Sequence, residues 1–460
     1  MKVRLVLIGV GLILLVLLGL VFAAWNMKPQ LVGTFPQTGA TDIPVAAPLR
    51  LEFSRPMQQD TVTSHLKTEP ARDGTFTWVG NTLTFTPDKP WPSGQNITIQ
   101  LEAGARATDR LAFPMGQQDW SFTTGETLLA YLWPSNGLAD IYTLNPLTGD
   151  VHQITQRMGV QDFAVSADGV KIYFSATNPQ GGSDLYRLDR IQAASGQNTL
   201  ITPEKLLDCG LSQCRSPAIA ADGFYLAYEF LIPSPGGELG PAQIWILNLT
   251  TMEAVPIGLA SHETVQPAWS STGWLAYYDR DSSGYEVVNP LTEERVHLPN
   301  QTGQPGAWSP DGQFYLAPEI YFIPVGAQSE MGTSHMIRFN VSTGETEDLT
   351  RADDLEDAEG IYSPDGVTIA FTRKYLDIGR WTLGRQIWLM DADGSNPRQV
   401  TDEPDNNHYD LAWSPDGRMI AYVRFNRATL SELPQLWLVS SDGSNPTELV
   451  IGGYSPLWIP

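Results

Sequence analysis

Two kinds of residue are scarce in this 460-residue chain. Cysteine occurs only as Cys209 and Cys214, and basic side chains number 28 Lys and Arg against 51 Asp and Glu. So few cysteines exclude a disulfide-dense scaffold and a cysteine-rich zinc module. A net charge of −23 turns the phosphate attraction behind most nucleic-acid affinity into repulsion, so no nucleic-acid partner is expected. Neither a G-x-S-x-G nucleophile turn nor an S-x-D-x-G-x-x-W box occurs. The six histidines show no metal-ligand spacing. No catalytic residue, cofactor or metal is therefore assigned. What is plentiful is turn and aromatic chemistry, with 41 Gly, 34 Pro and 10% aromatics, which points to a folded all-β chain rather than to disorder or a helical bundle.

The only long uncharged apolar run spans residues 5–25, about the 20 residues needed to cross a hydrocarbon core. Lys2 and Arg4 precede it, so the bulk of the chain is expected outside the cytoplasm. Residues 1–28 read as a membrane anchor. The competing reading is a signal peptide cut near Val21 and Ala23, which would leave a secreted protein. The string CGLSQC (209–214) would then meet an oxidising compartment, where a Cys209–Cys214 disulfide is expected.

Residues 29–125 contain short runs of alternating polarity, LRLEF (49–53), TLTFT (82–86), ITIQL (97–101) and WSFTT (120–124), separated by Pro, Gly, Asn and Asp. Period-two alternation with such punctuation predicts an antiparallel sandwich, with Trp78 and Trp120 as core anchors. The strings PQTGATDIPVAAPLRLEFSRPM (36–57), WVGNTLTFTP (78–87) and WSFTTGE (120–126) resemble the SbsA-type bacterial Ig-like domain of cell-surface proteins. That resemblance implies a spacer or adhesive module and assigns no catalytic residue.

Residues 126–460 are repetitive. A turn motif recurs as FAVSADGVKIYF (163–174), AIAADGFYLAY (218–228), AWSSTGWLAYY (268–278), AWSPDGQFYLA (307–317), IYSPDGVTIAF (361–371) and AWSPDGRMIAY (412–422). A strand with its following turn recurs seven times, from DIYTLNPLTGD (140–150) to QLWLVSSDGSN (435–445). The strand LLAYLW (128–133) has no turn motif before it, whereas GYSPLWIP (453–460) begins the motif and stops. The tail is thus expected to supply the missing strand of the first blade, closing a seven-bladed propeller and removing its open edges. Asp168, Asp222, Asp311, Asp365 and Asp416 read as turn formers. Ala227, Ala276, Ala370 and Ala421 would let sheets approach, and Trp245, Trp388 and Trp437 would pack between them. The repeat resembles the TolB-type propeller and the N-terminal propeller of dipeptidyl peptidase IV relatives. SSTG in the fourth blade, Pro318 in the fifth and the count of seven depart from the TolB pattern.

One surface stands out as a binding face. Arg373, Lys374, Tyr375, Arg380, Trp381, Arg385, Arg424 and Arg427 fall in or beside links between the second and third strands of the last two blades. Acidic links between blades, with Asp353, Asp354, Asp357 and Asp405, emerge on the same face. The plain reading is a solvated lattice of salt bridges, and the sharper one a docking face for an envelope protein or a polysaccharide. The function expected from these readings is a non-catalytic, membrane-anchored cell-envelope protein whose propeller is a binding platform. The alternative is a glycoside hydrolase or lyase using acids of the central channel.

Overall fold

The computed structural model of the protein describes residues 28–41, 43–109, 113–190, 202–324 and 329–459. The apolar run 5–25, expected as a membrane anchor, lies outside the described residues. Among those described, no helix is long and apolar enough to cross a membrane. The chain divides into two compact units, Met1–Glu126 and Thr127–Pro460.

Among the described residues of the first unit, seven strands form two antiparallel sheets: β1 (Leu31–Phe35), β2 (Leu49–Phe53), β3 (Leu66–Glu69), β4 (Gly74–Val79), β5 (Thr82–Pro87), β6 (Asn96–Leu101) and β7 (Gln118–Thr123). Their order is β1-β2-β5-β4 in one sheet and β3-β6-β7 in the other. Alternation turns Leu49, Leu51, Phe53, Leu83 and Phe85 inward from one sheet and Ile97, Ile99, Leu101, Trp120 and Phe122 from the other. Trp91 anchors the sandwich: it is buried, its indole N–H donates to the Ala47 carbonyl at 2.9 Å, and its ring meets Phe122 edge-on. Trp120 is buried as expected, while Trp78 is half-buried and stacks on Phe53.

Among the described residues the second unit folds as seven four-stranded antiparallel blades, with single parallel bridges, Ser183 to Gln213 and Ser334 to Glu356, joining blades 2 to 3 and 5 to 6. Blade 1 takes its innermost strand from the tail, because Tyr454–Ile459 pairs antiparallel with Leu128–Trp133. The innermost strands of blades 2 to 7 are Val160–Val165, Gln213–Ile219, Thr264–Trp269, Ala307–Trp308, Leu355–Tyr362 and Asn406–Trp413. Each neighbours the next around a complete cycle, and the tail strand lies between those of blades 7 and 2. Apolar clusters fill every junction between successive blades. At the closure, Leu129 and Tyr131 of blade 1 pack with Ala421, Val423, Leu436 and Trp458.

The recurring residues explain how the blades join. The indole N–H groups of Trp269, Trp308, Trp413 and Trp458 reach carbonyls of the preceding blade, at Ala218, Ala268, Ile361 and Ala412 (3.0–3.4 Å). Trp458 makes this contact across the closure itself. Ala227, Ala276, Ala370 and Ala421 are completely buried. In the turns, the hydroxyls of Ser166, Ser309, Ser363 and Ser414 donate to Asp168, Asp311, Asp365 and Asp416 at 2.5–2.6 Å, so these carboxylates shape hairpins. A Cys209–Cys214 disulfide closes the link between blades 2 and 3.

Candidate functional site

In an antiparallel four-stranded blade, the link between strands two and three and the link to the next blade lie on one face. On that face, blades 6 and 7 bring the expected basic and acidic residues together, but mostly as pairs. Arg373 and Asp357 are corrections to the expected docking face. They lie opposite each other on adjacent strands of blade 6, and both are buried. The Arg373 guanidinium donates to both Asp357 oxygens at 2.7 and 2.8 Å and lies over the rings of Phe371 and Trp388. Thr350 donates to Asp357 as well, at 2.6 Å. A desolvated bidentate pair of this kind specifies packing and leaves no charge for a ligand.

Nearer solvent, Arg380 bridges Asp354 (2.5 Å) and Asp377 (2.7 Å), and its guanidinium covers the Tyr375 ring at 3.9 Å. Tyr375, expected on the docking face, is half-buried beneath it. Lys374 lies over Trp381 at 4.7 Å, and Arg385 reaches Glu356 at 3.3 Å. Arg424 binds Glu403 at 2.6 Å and Gln435, and stacks on Trp437 at 3.9 Å. The hydrogen bond from His408 and the Arg424 charge together hold the Glu403 carboxyl down at about 2. Trp388 and Trp437, expected as core, are thus half-buried platforms for arginines. Asp353, Asp405 and Arg427 remain exposed, and the Arg427 N–H donates to the Asp405 carbonyl. The most exposed apolar side chains of these two links are Ile378, fully exposed, Leu430 at 78% and Trp381 at 50%.

A second constellation, unseen in the sequence, lines the axis. In five innermost strands a non-glycine residue has a left-handed backbone and breaks the register: Ser216, Gln266, Glu359, Asp410 and Ser455. The N–H freed by the bulge donates to a carboxylate of the preceding blade. Ser216 donates to Asp162 (3.1 Å), Gln266 to Glu229 (2.9 Å) and Asp410 to Glu359 (2.8 Å), while Ser455 donates to Asp410. Glu359 and Asp410 are therefore consecutive in one ladder. Desolvation, and then the neighbouring Asp410 charge, push the Glu359 carboxyl up to about 7, and desolvation raises Asp410 too. Such a pair can hold a proton near neutrality, as a general acid must. Glu359 and Asp410 occupy the same place in their repeats, two residues before IYSPDG (361–366) and AWSPDG (412–417), so the available signal was repeat position and not side-chain type.

The structure also gathers His262, Asp279 and Asp281, whose ligand atoms lie within 4.8 Å of one another. Asp279 already accepts from His262 at 2.7 Å and from the N–H groups of Asp281 and Ser282, and Asp281 accepts from the Glu263 N–H. These bonds join the link between blades 3 and 4 to a hairpin of blade 4.

Among known proteins, a 66-residue segment is 33% identical to dipeptidyl-peptidase 5 of Porphyromonas gingivalis, 14% of this chain and about a tenth of that protein's length. TolB from Acinetobacter baumannii is similar in structure over 86% of this chain and 83% of its own, at 13% identity and a TM-score of 0.42. The β-propeller domain of the Trilobed protease from Pyrococcus furiosus is similar over 63% of this chain and 82% of its own, at 12% identity and a TM-score of 0.44. Residues 26–124 match the family described as bacterial Ig-like domain, so the chain joins a domain of that family to a β-propeller.

Proposed function

We propose that this is a non-catalytic protein of the bacterial cell envelope, tethered by residues 5–25. Its Ig-like domain is a spacer, and its propeller is a platform for another envelope protein or a polysaccharide. The observation that carries this reading is the trio of exposed apolar side chains, Ile378, Trp381 and Leu430, held above a lattice of mutually paired charges. Exposed apolar anchors inside a polar rim are how recognition surfaces are built, and the paired arginines hold the two links in place. The Cys209–Cys214 disulfide supports an oxidising location.

Capture from envelope extracts and a glycan array, run with the wild type and with Trp381→Ala plus Ile378→Asp, test the platform. Loss of about tenfold or more in affinity is expected, the scale of a single anchor residue; undiminished binding would rule out this face. Membrane fractionation tests the tether, which predicts that the intact chain sediments with membranes until residues 1–28 are removed.

A second reading, glycoside cleavage by channel acids, draws on one observation, the neighbouring Glu359 and Asp410 carboxyls with raised affinity for protons. Its test is product release from envelope polysaccharides by wild type and Glu359→Gln. Activity that the substitution abolishes would favour it over the platform.

A further inference from the structure

We infer that β4 is a strand-pairing edge by which the Ig-like domain joins a second copy of this chain. The inference starts from how the protein treats its other sheet edges. Unpaired strand edges template association, and proteins blunt them with charge, proline, bulges, brevity or cover. In the propeller, the outermost strands Val151–Gln153, Ala254–Pro256, Thr346–Asp348 and Arg398–Gln399 have two or three residues each. The longer ones, Glu204–Leu207, Arg295–Pro299 and Thr447–Ile451, carry charge.

The sandwich protects three of its four edges. β1 is interrupted by a bulge between Leu31 and Gly33 and stops at Pro36. β3 carries Lys67 and Glu69 and stops at Pro70. β7 is covered by main-chain bonds from residues 39–43, with Gly39 donating to Ser121, Ile43 to Thr123 and Thr123 to Ala40. β4 has none of these devices. Its sequence GTFTWV is six residues long, free of charge and proline, and keeps regular register along β5. Among the described residues nothing pairs with its other side. Thr75, Phe76, Thr77 and Val79 are all exposed along it, Val79 at 76%.

The occupant follows from complementarity and charge. About a two-fold axis perpendicular to the sheet, antiparallel β4 strands can be centred on Phe76 or on Thr77. Within the strand both registers oppose only uncharged residues, and the Thr, Val and aromatic pairs among them favour sheet formation. Residues 29–125 hold 7 basic and 9 acidic side chains, whereas residues 126–460 hold 18 and 42. Self-association is therefore nearly free of repulsion at the sandwich and opposed at the propeller. Joining two β4 strands makes one continuous eight-stranded sheet. The contact is small, below the roughly 1,200 Å² of standard interfaces, so a weak, concentration-dependent dimer is expected.

The test is sedimentation velocity of the intact chain in density-matched nonionic detergent, from low to high micromolar concentration, with hydrogen exchange read at residues 74–79. The expected result is a mass rising from one protomer toward two, with protection of β4 amides rising in parallel. Salt should matter little, because the edge is uncharged. Thr77→Lys, at an exposed position, should leave the melting temperature unchanged and weaken the dimer about tenfold or more by setting like charges across the axis; added salt should partly restore it. A monomer at every concentration, a dimer unaffected by Thr77→Lys, or a wild-type dimer formed only at high salt would each overturn the inference. The last two would assign the contact to the propeller.

Discussion

Glu359 and Glu403 are both glutamates on the propeller of a strongly acidic protein, yet their surroundings drive them in opposite directions. Glu359 has its proton affinity raised by desolvation and by Asp410, whereas Glu403 is held ionised by His408 and Arg424. Between its ordinary 4.5 and about 7, Glu359 holds a proton in the folded state that the unfolded chain has released. Its contribution to stability therefore falls as pH rises through that window and stays flat above it. Glu359→Gln keeps an acceptor for the Asp410 N–H, so thermal melts at pH 8 should show it more stable than wild type, with the advantage shrinking toward pH 5. For Glu403 the sign reverses: its contribution is complete above 4.5 and is lost as pH falls toward about 2. Glu403→Gln should be destabilised at pH 7, and the deficit should narrow on acidification. Arg373 presents a different case, because removing it strands the fully buried Asp357. Arg373→Leu should cost about 3–5 kcal/mol in urea denaturation, and adding Asp357→Leu should recover much of that loss.

Among elements, the hairpins and innermost strands were legible because they repeat. The SPDG turns carry their own hydrogen-bonding logic, and Trp in AWS marks a strand that bonds to its neighbour blade. Four strands of the sandwich announced themselves by alternation. β1, β3 and β4 did not: Gly33 interrupts the first, β3 has only four residues, and β4 (GTFTWV) lacks a buried–exposed alternation of charged and apolar residues. The candidate site was legible in composition and not in pairing. Sequence placed Arg373 among surface loops because it adjoins Lys374 and Tyr375, while cross-strand register puts it opposite Asp357, inside. The channel ladder was missed because Ser216, Gln266, Glu359, Asp410 and Ser455 share a position in the repeat, four residues before the turn-motif serine in the best-matching blades, rather than one side-chain type, and their left-handed backbone is set by the bulge. Junctions between blades leave little room at particular points. A Cβ on Gly384 would come within 2.1 Å of the Asn406 carbonyl oxygen of the next blade. Gly384→Ala is thus expected to lower the propeller's unfolding midpoint by several degrees in differential scanning calorimetry, while leaving the Ig-like unit's transition in place.

In the propeller as a whole, closure is what turns seven small sheets into one ring. Each blade buries its faces only against two neighbours, and the junction of blades 7 and 1 exists because the last residues return to the first blade. The loops bearing Ile378, Trp381 and Leu430 belong to blades 6 and 7, and blade 7 forms one side of that junction, so the proposed platform depends on the closure. Removing residues 453–460 deletes the innermost strand of blade 1 together with Trp458 and its bond to Ala412. Burial of Trp458 alone is worth about 3–5 kcal/mol. Urea denaturation of the truncated chain, followed by propeller tryptophan fluorescence, is the most direct test of the sealed ring. The account predicts a loss of at least that size, with blade 1 amides exchanging freely; an unfolding midpoint equal to that of the intact protein would contradict it.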